Sequence, residues 1–173
     1  MMDFVSFSAS RFSVRSYDPA RPVDDDTLRR VLEAGRMAPS AANRQPWKIL
    51  VVRQKELLKH LHKAYEAPWF ADAPVVLVVK GFRDQAWTRR YDGWNSLETD
   101  LAILMDHLIL AAHAEGLATC WISAFEPEKL SQTPGLQAGE EVFAITPLGY
   151  PKAGVIATRP KQRKPIDEIV EWL

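Results

Sequence analysis

The sequence predicts a globular protein that combines α-helices with β-strands. Two segments, 25–36 and 97–114, place apolar side chains at helical spacing. Two others, 47–52 and 74–79, are short runs of strand-forming residues. Of the 173 residues, 47% are apolar and 25% are charged, which is typical of a chain that buries its own core. We therefore expect a single domain over residues 1–173.

Charge and cysteine content narrow the functional classes. Basic and acidic residues balance at 22 each, so the chain as a whole has no electrostatic attraction to nucleic acid or anionic membrane. Segment 97–114 is the longest apolar run, and its several ionisable side chains argue against a membrane span. The single cysteine, Cys120, excludes an internal disulfide, and residues 1–12 lack the apolar run of a secretory signal. We expect a cytoplasmic protein without nucleic-acid or membrane partners.

The first candidate site is the extended segment RFSVRSY near the start of the chain. In a strand, alternate side chains share a face. Arg11, Ser13 and Arg15 would then present hydrogen-bond donors on one side. Phe12 and Val14 would point to the core. Such a row could hold an anion; the alternative is a half-buried strand with a polar outer face.

The second candidate is the loop PSAANRQPW at residues 39–47, directly before a predicted strand. It has almost no apolar side chains and cannot build a core. Prolines stiffen both ends, alanines allow close approach, and Ser40, Asn43 and Gln45 carry hydrogen-bonding groups. A planar polar ligand could bind there. The alternative is a loop whose side chains satisfy its own backbone.

Periodicity and turn chemistry predict the other elements. Asn95 and Glu98 have the spacing of a capping box before the long central helix, and Gly116 suits the left-handed position that closes it. This helix is apolar over more than one face, which predicts packing on several sides. Other helices are predicted from Phe4, from an Asp24 or Asp25 cap, from Lys55 and from Pro127, and further strands over 118–122 and 142–148.

Two further segments could bind a ligand. Residues 80–94, KGFRDQAWTRRYDGW, are aromatic and charged without a clean period, which indicates a binding loop or lid, or plain surface. The tail carries Arg159, Lys161 and Arg163 before a short helical segment over 166–172. Lys161 and Arg163 could hold a phosphate together through charge-assisted hydrogen bonds; the alternative is a solvated basic tail.

Several chemistries lack their sequence signatures. The chain has no G-x-x-x-x-G-K-[ST] loop, no G-x-G-x-x-G fingerprint and no H-E-x-x-H motif. Its four histidines include no pair at i, i+4, so no metal site is predicted. Cys120 lies in a probable strand, where a small buried hydrophobe is expected rather than an activated thiol. No catalytic side chain is predicted.

Four motifs occur in order along nearly the whole chain. RFSVRSYD is followed by APSAANRQPW, then by ILAAHAEGLATCWISAF, and finally by PLGYPK and RPKQRKP. In this order and at these separations they resemble the nitroreductase family of flavin-dependent oxidoreductases. The resemblance implies an α+β fold with a mixed, largely antiparallel sheet flanked by helices around a long central helix. It also implies a homodimer that binds FMN at the subunit interface.

The same resemblance implies which residues contact FMN. Arg11, Ser13, Lys161 and Arg163 would hold the phosphate and ribityl end, and Arg15 would lie near the pyrimidine edge. Loop 39–45 would come from the other subunit, and a main-chain amide of Ser123 or Ala124 would meet N5. The implied cofactor-binding residues are Arg11, Phe12, Ser13, Arg15, Pro39, Ser40, Ala41, Asn43, Gln45, Trp121, Ile122, Ser123, Ala124, Lys161 and Arg163.

The implied activity is that of an NAD(P)H-dependent flavin oxidoreductase. A hydride would pass from NAD(P)H, the co-substrate, through flavin N5 to a small electron-poor acceptor such as a nitroaromatic or a quinone. One alternative in the same fold is a reductase or dehalogenase for a specialised metabolite. A second is a flavin-binding sensor or store without turnover. A third is an interaction module that uses the basic tail and binds no flavin.

Overall fold

The computed structural model describes residues 3–155 and 161–173, so Arg159 of the tail motif lies outside the described residues. Five α-helices and four strands are present in the described part of the chain. In chain order they are α1 (Phe4–Ser10), α2 (Asp25–Arg36), β1 (Trp47–Val52), α3 (Lys55–Ala64), β2 (Val75–Gly81), α4 (Leu97–Ala114), β3 (Ala118–Thr119), α5 (Pro127–Ser131) and β4 (Glu141–Gly149).

The four strands form one sheet in the order β1-β2-β4-β3. Every strand pair in the described residues is antiparallel. The α+β class, with a helix-flanked sheet, is therefore confirmed, and the sheet is antiparallel rather than mixed over these residues. The central pair β2–β4 has a register shift between Val79 and Lys80, which is the position of a β-bulge.

Both faces of the sheet are covered by helices. The side chains of β2 alternate in direction, as in any strand, and all seven of its residues are buried. Leu77 and Val79 pack in a cluster with α2 and α4. Val76 and Val78 pack on the opposite face in a second cluster with α3 and α5. The continuous apolar sequence of β2 thus reflects burial on two sides.

Helix α4 is the central helix that the sequence predicts. Leu104, Met105 and Leu108 are almost inaccessible to solvent, whereas Ile103 and Leu110 are only half-buried. The contact with α2 is close at one glycine: a Cβ added to Gly35 would lie 2.5 Å from Leu108 Cδ2. Among the described residues, no helix is both long enough and apolar enough to cross a membrane.

Three local predictions are corrected by the structure. Ser96, not Asn95, is the N-cap of α4; Asn95 Oδ1 instead accepts from the Leu97 amide at 3.0 Å, and Glu98 pairs with Arg83 rather than closing a capping box. The strand predicted over 118–122 is shortened to β3 and one bridge at Ile122.

The predicted helical segment at the end of the tail is also wrong. Only a single 3₁₀ turn, Ile166–Glu168, forms there. Ile166, Ile169 and Trp172 are 63%, 64% and 87% exposed, so their side chains pack little against the part of the chain that the structure describes. A short amphipathic segment gains most of its helical stability from such packing.

Candidate functional site

The N-terminal segment lies alongside β3. The amide of Val14 donates to the carbonyl of Thr119 at 3.0 Å, and Tyr17 forms a bridge with Pro151. The strand predicted for RFSVRSY is therefore an extended segment held at two points rather than a regular strand. Val14 is buried as predicted, but Phe12 is only half-buried and Arg15 is exposed.

A group of cations surrounds the start of this segment. Although Lys161 is an exposed residue, partial desolvation lowers its pKa, and the nearby charges of Arg11 and Arg163 lower it further. Burial, Arg11 and Lys161 likewise lower the pKa of His113. In the part of the chain that the structure describes, none of Arg11, Lys161 and Arg163 forms an ion pair with a carboxylate. The cluster is therefore an uncompensated positive site.

Two contacts connect the tail and the last turn of α4 to α1. The Lys161 ammonium donates to the carbonyl of Ser8, and His113 Nε2 lies 2.7 Å from Ser10 Oγ. Arg11 and His113 also line a cavity of about 180 Å³ between the N-terminal segment and β3. Lys161 of the tail motif thus lies close to the start of the first motif, although the two are far apart in sequence.

Segment 121–124 directly follows β3, which is one of the two edge strands of the sheet. Ile122 is buried, and both its amide and its carbonyl bond to Ile145 at 3.0 Å, so its backbone is already engaged. Ser123 and Ala124 are exposed, and within residues 3–155 and 161–173 their amides donate to no acceptor. Trp121 packs on Phe143 with ring centres 5.7 Å apart.

Cys120 is buried between these segments. Burial raises the pKa of its thiol, and Arg15, Ser13 and Arg11 act against that shift. The shift keeps the thiol protonated near neutral pH, which agrees with the expectation of a packed residue rather than a nucleophile. The same interactions place Ser13 and Arg15 beside Cys120, next to segment 121–124.

Loop 39–45 has a strained backbone. Ala42, Asn43 and Gln45 adopt positive φ angles of 49°, 53° and 50°. This left-handed backbone conformation raises the energy of an L-amino acid by about 1 kcal/mol per residue. The hydroxyl of Ser40 accepts from the Gln45 amide at 2.9 Å. The Gln45 side-chain amide donates to Asn43 Oδ1 at 3.1 Å. In these two hydrogen bonds, polar side chains of the loop bind other groups of the same loop, as the alternative interpretation expected.

The loop is attached to the rest of the protein by a buried carboxylate. Asp100 Oδ1 accepts from the Ala41 amide at 2.8 Å, and Asp100 is 1% exposed. Asn43 and Gln45 remain exposed despite their internal bonds. The loop therefore presents a fixed polar surface to solvent.

The candidate residues form two separate groups. Asp100, which holds loop 39–45, and His113, beside the cation cluster, lie at opposite ends of α4, about 20 Å apart along its axis. Loop 39–45 leads into β1, whereas segment 121–124 follows β3. These are the two edge strands of the sheet, about 14 Å apart at three strand spacings. One chain brings together the first, third and fourth sequence motifs and leaves the second at the opposite edge.

The same order of motifs and elements is found in a known family. A model of the Nitroreductase family matches residues 9–66 and 58–150 of the chain. These two matches together cover most of its length and include the N-terminal segment, loop 39–45 and segment 121–124. The chain belongs to the nitroreductase family.

Relatives of comparable length support this membership. A Thermus thermophilus protein named NADH dehydrogenase is 29% identical, and the match covers 99% of this chain and 97% of that protein. A Methanothermobacter thermautotrophicus protein, provisionally named NADH dehydrogenase/NAD(P)H nitroreductase, is 30% identical over 87% and 78% of the two chains. The crystal structure of a nitroreductase family protein from Clostridium difficile 630 has a TM-score of 0.84 at 32% identity, with coverages of 99% and 98%.

Two residues near the site of this nitroreductase family member were missed by the sequence analysis. Asp100 carried a signal, because it is an acidic residue inside a strongly apolar helix. His113 carried a weaker one, since it lies within the motif ILAAHAEG in the last turn of that helix. Their roles depend on tertiary contacts with Ala41 and Ser10, which no sequence spacing predicts.

Proposed function

We propose that the protein is an FMN-dependent oxidoreductase that takes its hydride from NAD(P)H. Family membership and the names of the relatives support the coarser part, an NAD(P)H-dependent oxidoreductase. The single observation that carries the flavin is the positive cluster of Arg11, Lys161 and Arg163, which no carboxylate of the described residues neutralises. A cluster of this kind attracts an anion, and the FMN phosphate is one.

The residues present fit the phosphate end of FMN. Guanidinium and ammonium groups form short charge-assisted hydrogen bonds with phosphate oxygens. Arg11 and Lys161 would neutralise most of its charge, and Ser13 offers a hydroxyl beside them. Binding an anion would also relieve the repulsion from Arg11 and Arg163, which adds to desolvation in lowering the pKa of Lys161. Arg163, which donates to the carbonyl of Gln162 at 2.8 Å, completes the cluster.

The residues also fit the ring of a flavin. The amides of Ser123 and Ala124 are the available donors at the exposed end of this segment, and one of them would donate to N5. The guanidinium of Arg15, which lies 5.9 Å from the ring centre of Trp69, would place a cation at the pyrimidine edge. When bound, FMN supplies the hydride chemistry between NAD(P)H and an electron-poor acceptor such as a nitroaromatic or a quinone.

A homodimer is part of the proposal, since one chain leaves loop 39–45 at the far edge of the sheet. A second copy would bring its own loop to the ring. Two features support such a partner: the half-buried side chains of Ile103 and Leu110 on α4, and the exposed apolar tail residues Ile166 and Trp172. We further propose a cytoplasmic setting, because a single buried cysteine is suited to a reducing compartment.

The decisive experiment is a visible absorption spectrum of the purified protein after incubation with FMN and removal of free flavin. About one flavin per chain is expected, followed by anaerobic bleaching on addition of NADH or NADPH and reoxidation by a nitroaromatic or quinone. The matched variants are Lys161→Ala, which should lose flavin, and Lys164→Ala in the same tail, which should retain it. A colourless wild-type protein would refute the proposal.

The same experiment separates the alternatives. Bound FMN that NAD(P)H cannot reduce would indicate a flavin sensor or store. Reduction by NAD(P)H without turnover of nitroaromatics or quinones would indicate a specialised metabolite or dehalogenation as the reaction. An interaction module predicts no flavin at all, with Lys161 and Arg163 needed for a partner instead.

A further inference from the structure

Asp100 is a buried acidic residue that no cation of the described residues pairs with. It is 1% exposed, and it forms no ion pair within residues 3–155 and 161–173. It lies in the first turn of α4, where the helix dipole stabilises negative charge. Burying a carboxylate is costly unless its oxygens receive hydrogen bonds. The question is therefore what those hydrogen bonds hold in place.

The two oxygens of Asp100 hold two different loops. Oδ1 accepts from the Ala41 amide in loop 39–45 at 2.8 Å. Oδ2 accepts from the hydroxyl of Ser96 at 2.8 Å, and Ser96 is 1% exposed. The amide of Ser96 donates in turn to the carbonyl of Trp87 at 2.9 Å. Of the predicted aromatic segment 80–94, residues 80 and 81 belong to β2, and the remainder with Asn95 forms a segment over 82–95. One carboxylate thus links the strained loop to the base of this segment.

The aromatic segment is itself a closed hairpin. Thr88 and Asn95 form an antiparallel bridge, the Arg89 amide donates to the carbonyl of Trp94 at 2.8 Å, and Arg89 pairs with Asp92. Its base also contacts the residue that directly follows loop 39–45, because the Phe82 amide donates to the carbonyl of Pro46 at 3.0 Å. The hairpin and the loop are therefore fixed to each other at the N-terminal end of α4.

We propose that Asp100 is a positioning residue that holds loop 39–45 in its flavin-contacting conformation and fixes the 82–95 hairpin to it. This inference rests on the proposed function. Three residues at positive φ would relax without an external attachment, and the Ala41 amide is the donor through which Asp100 prevents that. Asp100 is not itself a proposed flavin contact; it acts through its hydrogen bonds with Ala41 and Ser96.

Limited trypsin digestion of the flavin-free protein tests the attachment without any cofactor. Arg44 is exposed within the loop, and its carbonyl precedes Gln45, so cleavage there reports loop opening. Asp100→Ala removes both acceptors and should raise the cleavage rate after Arg44 about tenfold. Asp100→Asn keeps an acceptor for the Ala41 amide and should stay near the wild-type rate. Met105→Ala, a fully buried change on the same helix, controls for lost stability and should also leave the rate unchanged.

Flavin binding gives the second readout. In Asp100→Ala the dissociation constant of FMN should rise about tenfold, and the reduction potential of the flavin that still binds should shift. Met105→Ala should change neither. Ser96→Ala, which removes one of the two bonds, should raise cleavage after Arg44 about threefold and serves if Asp100→Ala does not fold.

The outcomes separate the two proposals. A wild-type protein without FMN refutes the proposed function, while cleavage after Arg44 still tests the attachment. If the wild type binds FMN and Asp100→Ala matches Met105→Ala in cleavage and affinity, the positioning role is overturned. A wild-type cleavage rate in Ser96→Ala would contradict the link to the hairpin.

Discussion

The amide of Val14 and the carbonyl of Thr119 are joined by a 3.0 Å hydrogen bond. This bond places the N-terminal segment against β3, and as a result Arg11 lies beside His113 and Lys161. The cation cluster of Arg11, Lys161 and Arg163 comes from two distant parts of the chain, and the mutual repulsion of its charges has a measurable cost. It also gives a measurable gain in affinity when an anion binds.

Removal of one cation from this cluster should weaken FMN binding. We expect Lys161→Ala and Arg11→Ala each to raise the dissociation constant at least tenfold, since a hydrogen bond to a charged group contributes about 1.5–3 kcal/mol. Flavin fluorescence titration at low salt measures the change. Lys164→Ala is the control, because its side chain is also exposed and basic. Equal losses in all three variants would indicate nonspecific electrostatics rather than a phosphate site.

The buried pair of Lys80 and Glu140 should matter for stability rather than for activity. Lys80 Nζ lies 2.5 Å from Glu140 Oε2, and the side chains are 6% and 2% exposed. Lys80→Met leaves the carboxylate buried without its cation and should lower the free energy of unfolding by about 3 kcal/mol. Urea denaturation at pH 7 measures this.

Two further variants check that interpretation. Lys80→Met combined with Glu140→Leu should recover much of the lost stability, because no uncompensated charge remains buried. Lys59→Met, which breaks an exposed pair with Glu56, should change stability by less than about 1 kcal/mol. A large effect at Lys59, or none at Lys80, would contradict the assignment.

His113 should make stability depend on pH below neutrality. Burial, Arg11 and Lys161 lower its pKa from the ordinary value of 6.5. The folded protein then excludes a proton that the unfolded chain takes up, so the stability that neutral His113 preserves is present above pH 6.5 and is lost as the pH falls below it. The slope from this one group is at most about 1.4 kcal/mol per pH unit.

Thermal denaturation between pH 7.5 and 5.5 measures that slope. His113→Gln should flatten the profile, whereas the control His60→Gln should preserve it. Part of the slope should persist in His113→Gln, because burial also lowers the pKa of His62. An unchanged profile in His113→Gln would show that Arg11 and Lys161 do not act on this imidazole.

The strain in loop 39–45 predicts an unusual response to glycine. Ala42 has a φ angle of 49°, which glycine adopts without steric cost. Ala42→Gly should therefore raise the free energy of unfolding by about 0.5 kcal/mol, after the larger entropy loss of glycine is subtracted. Ala34→Gly inside α2 should lower it by about 1 kcal/mol. Calorimetry measures the free energy of unfolding of both variants. Similar losses of stability at the two positions would contradict the presence of strain at Ala42.

Much of the fold could be predicted because its signals are local. Asp24 caps α2, Gly116 has a φ angle of 72° after α4, and Pro127 begins α5, as the sequence indicated. The capping box at Asn95 was wrong because Arg83, from a different part of the chain, binds Glu98. The tail helix was wrong because Ile166 and its apolar neighbours stay exposed among the described residues.

The site could be predicted only in part, for a related reason. Motifs identify Arg11, Lys161 and loop 39–45, but sequence order carries no information on which of them meet. Positive φ angles are usually predicted from glycine, but here they occur at Ala42, Asn43 and Gln45. Asp100 is predictable as an exception in an apolar helix; its attachment to Ala41 follows only from the packing of the loop on α4.

Gly35 has a consequence for the loop that follows it. Its missing side chain lets α2 and α4 approach until a methyl group would come within 2.5 Å of Leu108. Loop 39–45 starts just beyond the end of α2, so any larger residue at position 35 would move the loop entrance away from α4 and stretch the bond from Ala41 to Asp100. The distance between α2 and α4 therefore also determines the position of loop 39–45. A sequence change far from any ligand can tune the site through it.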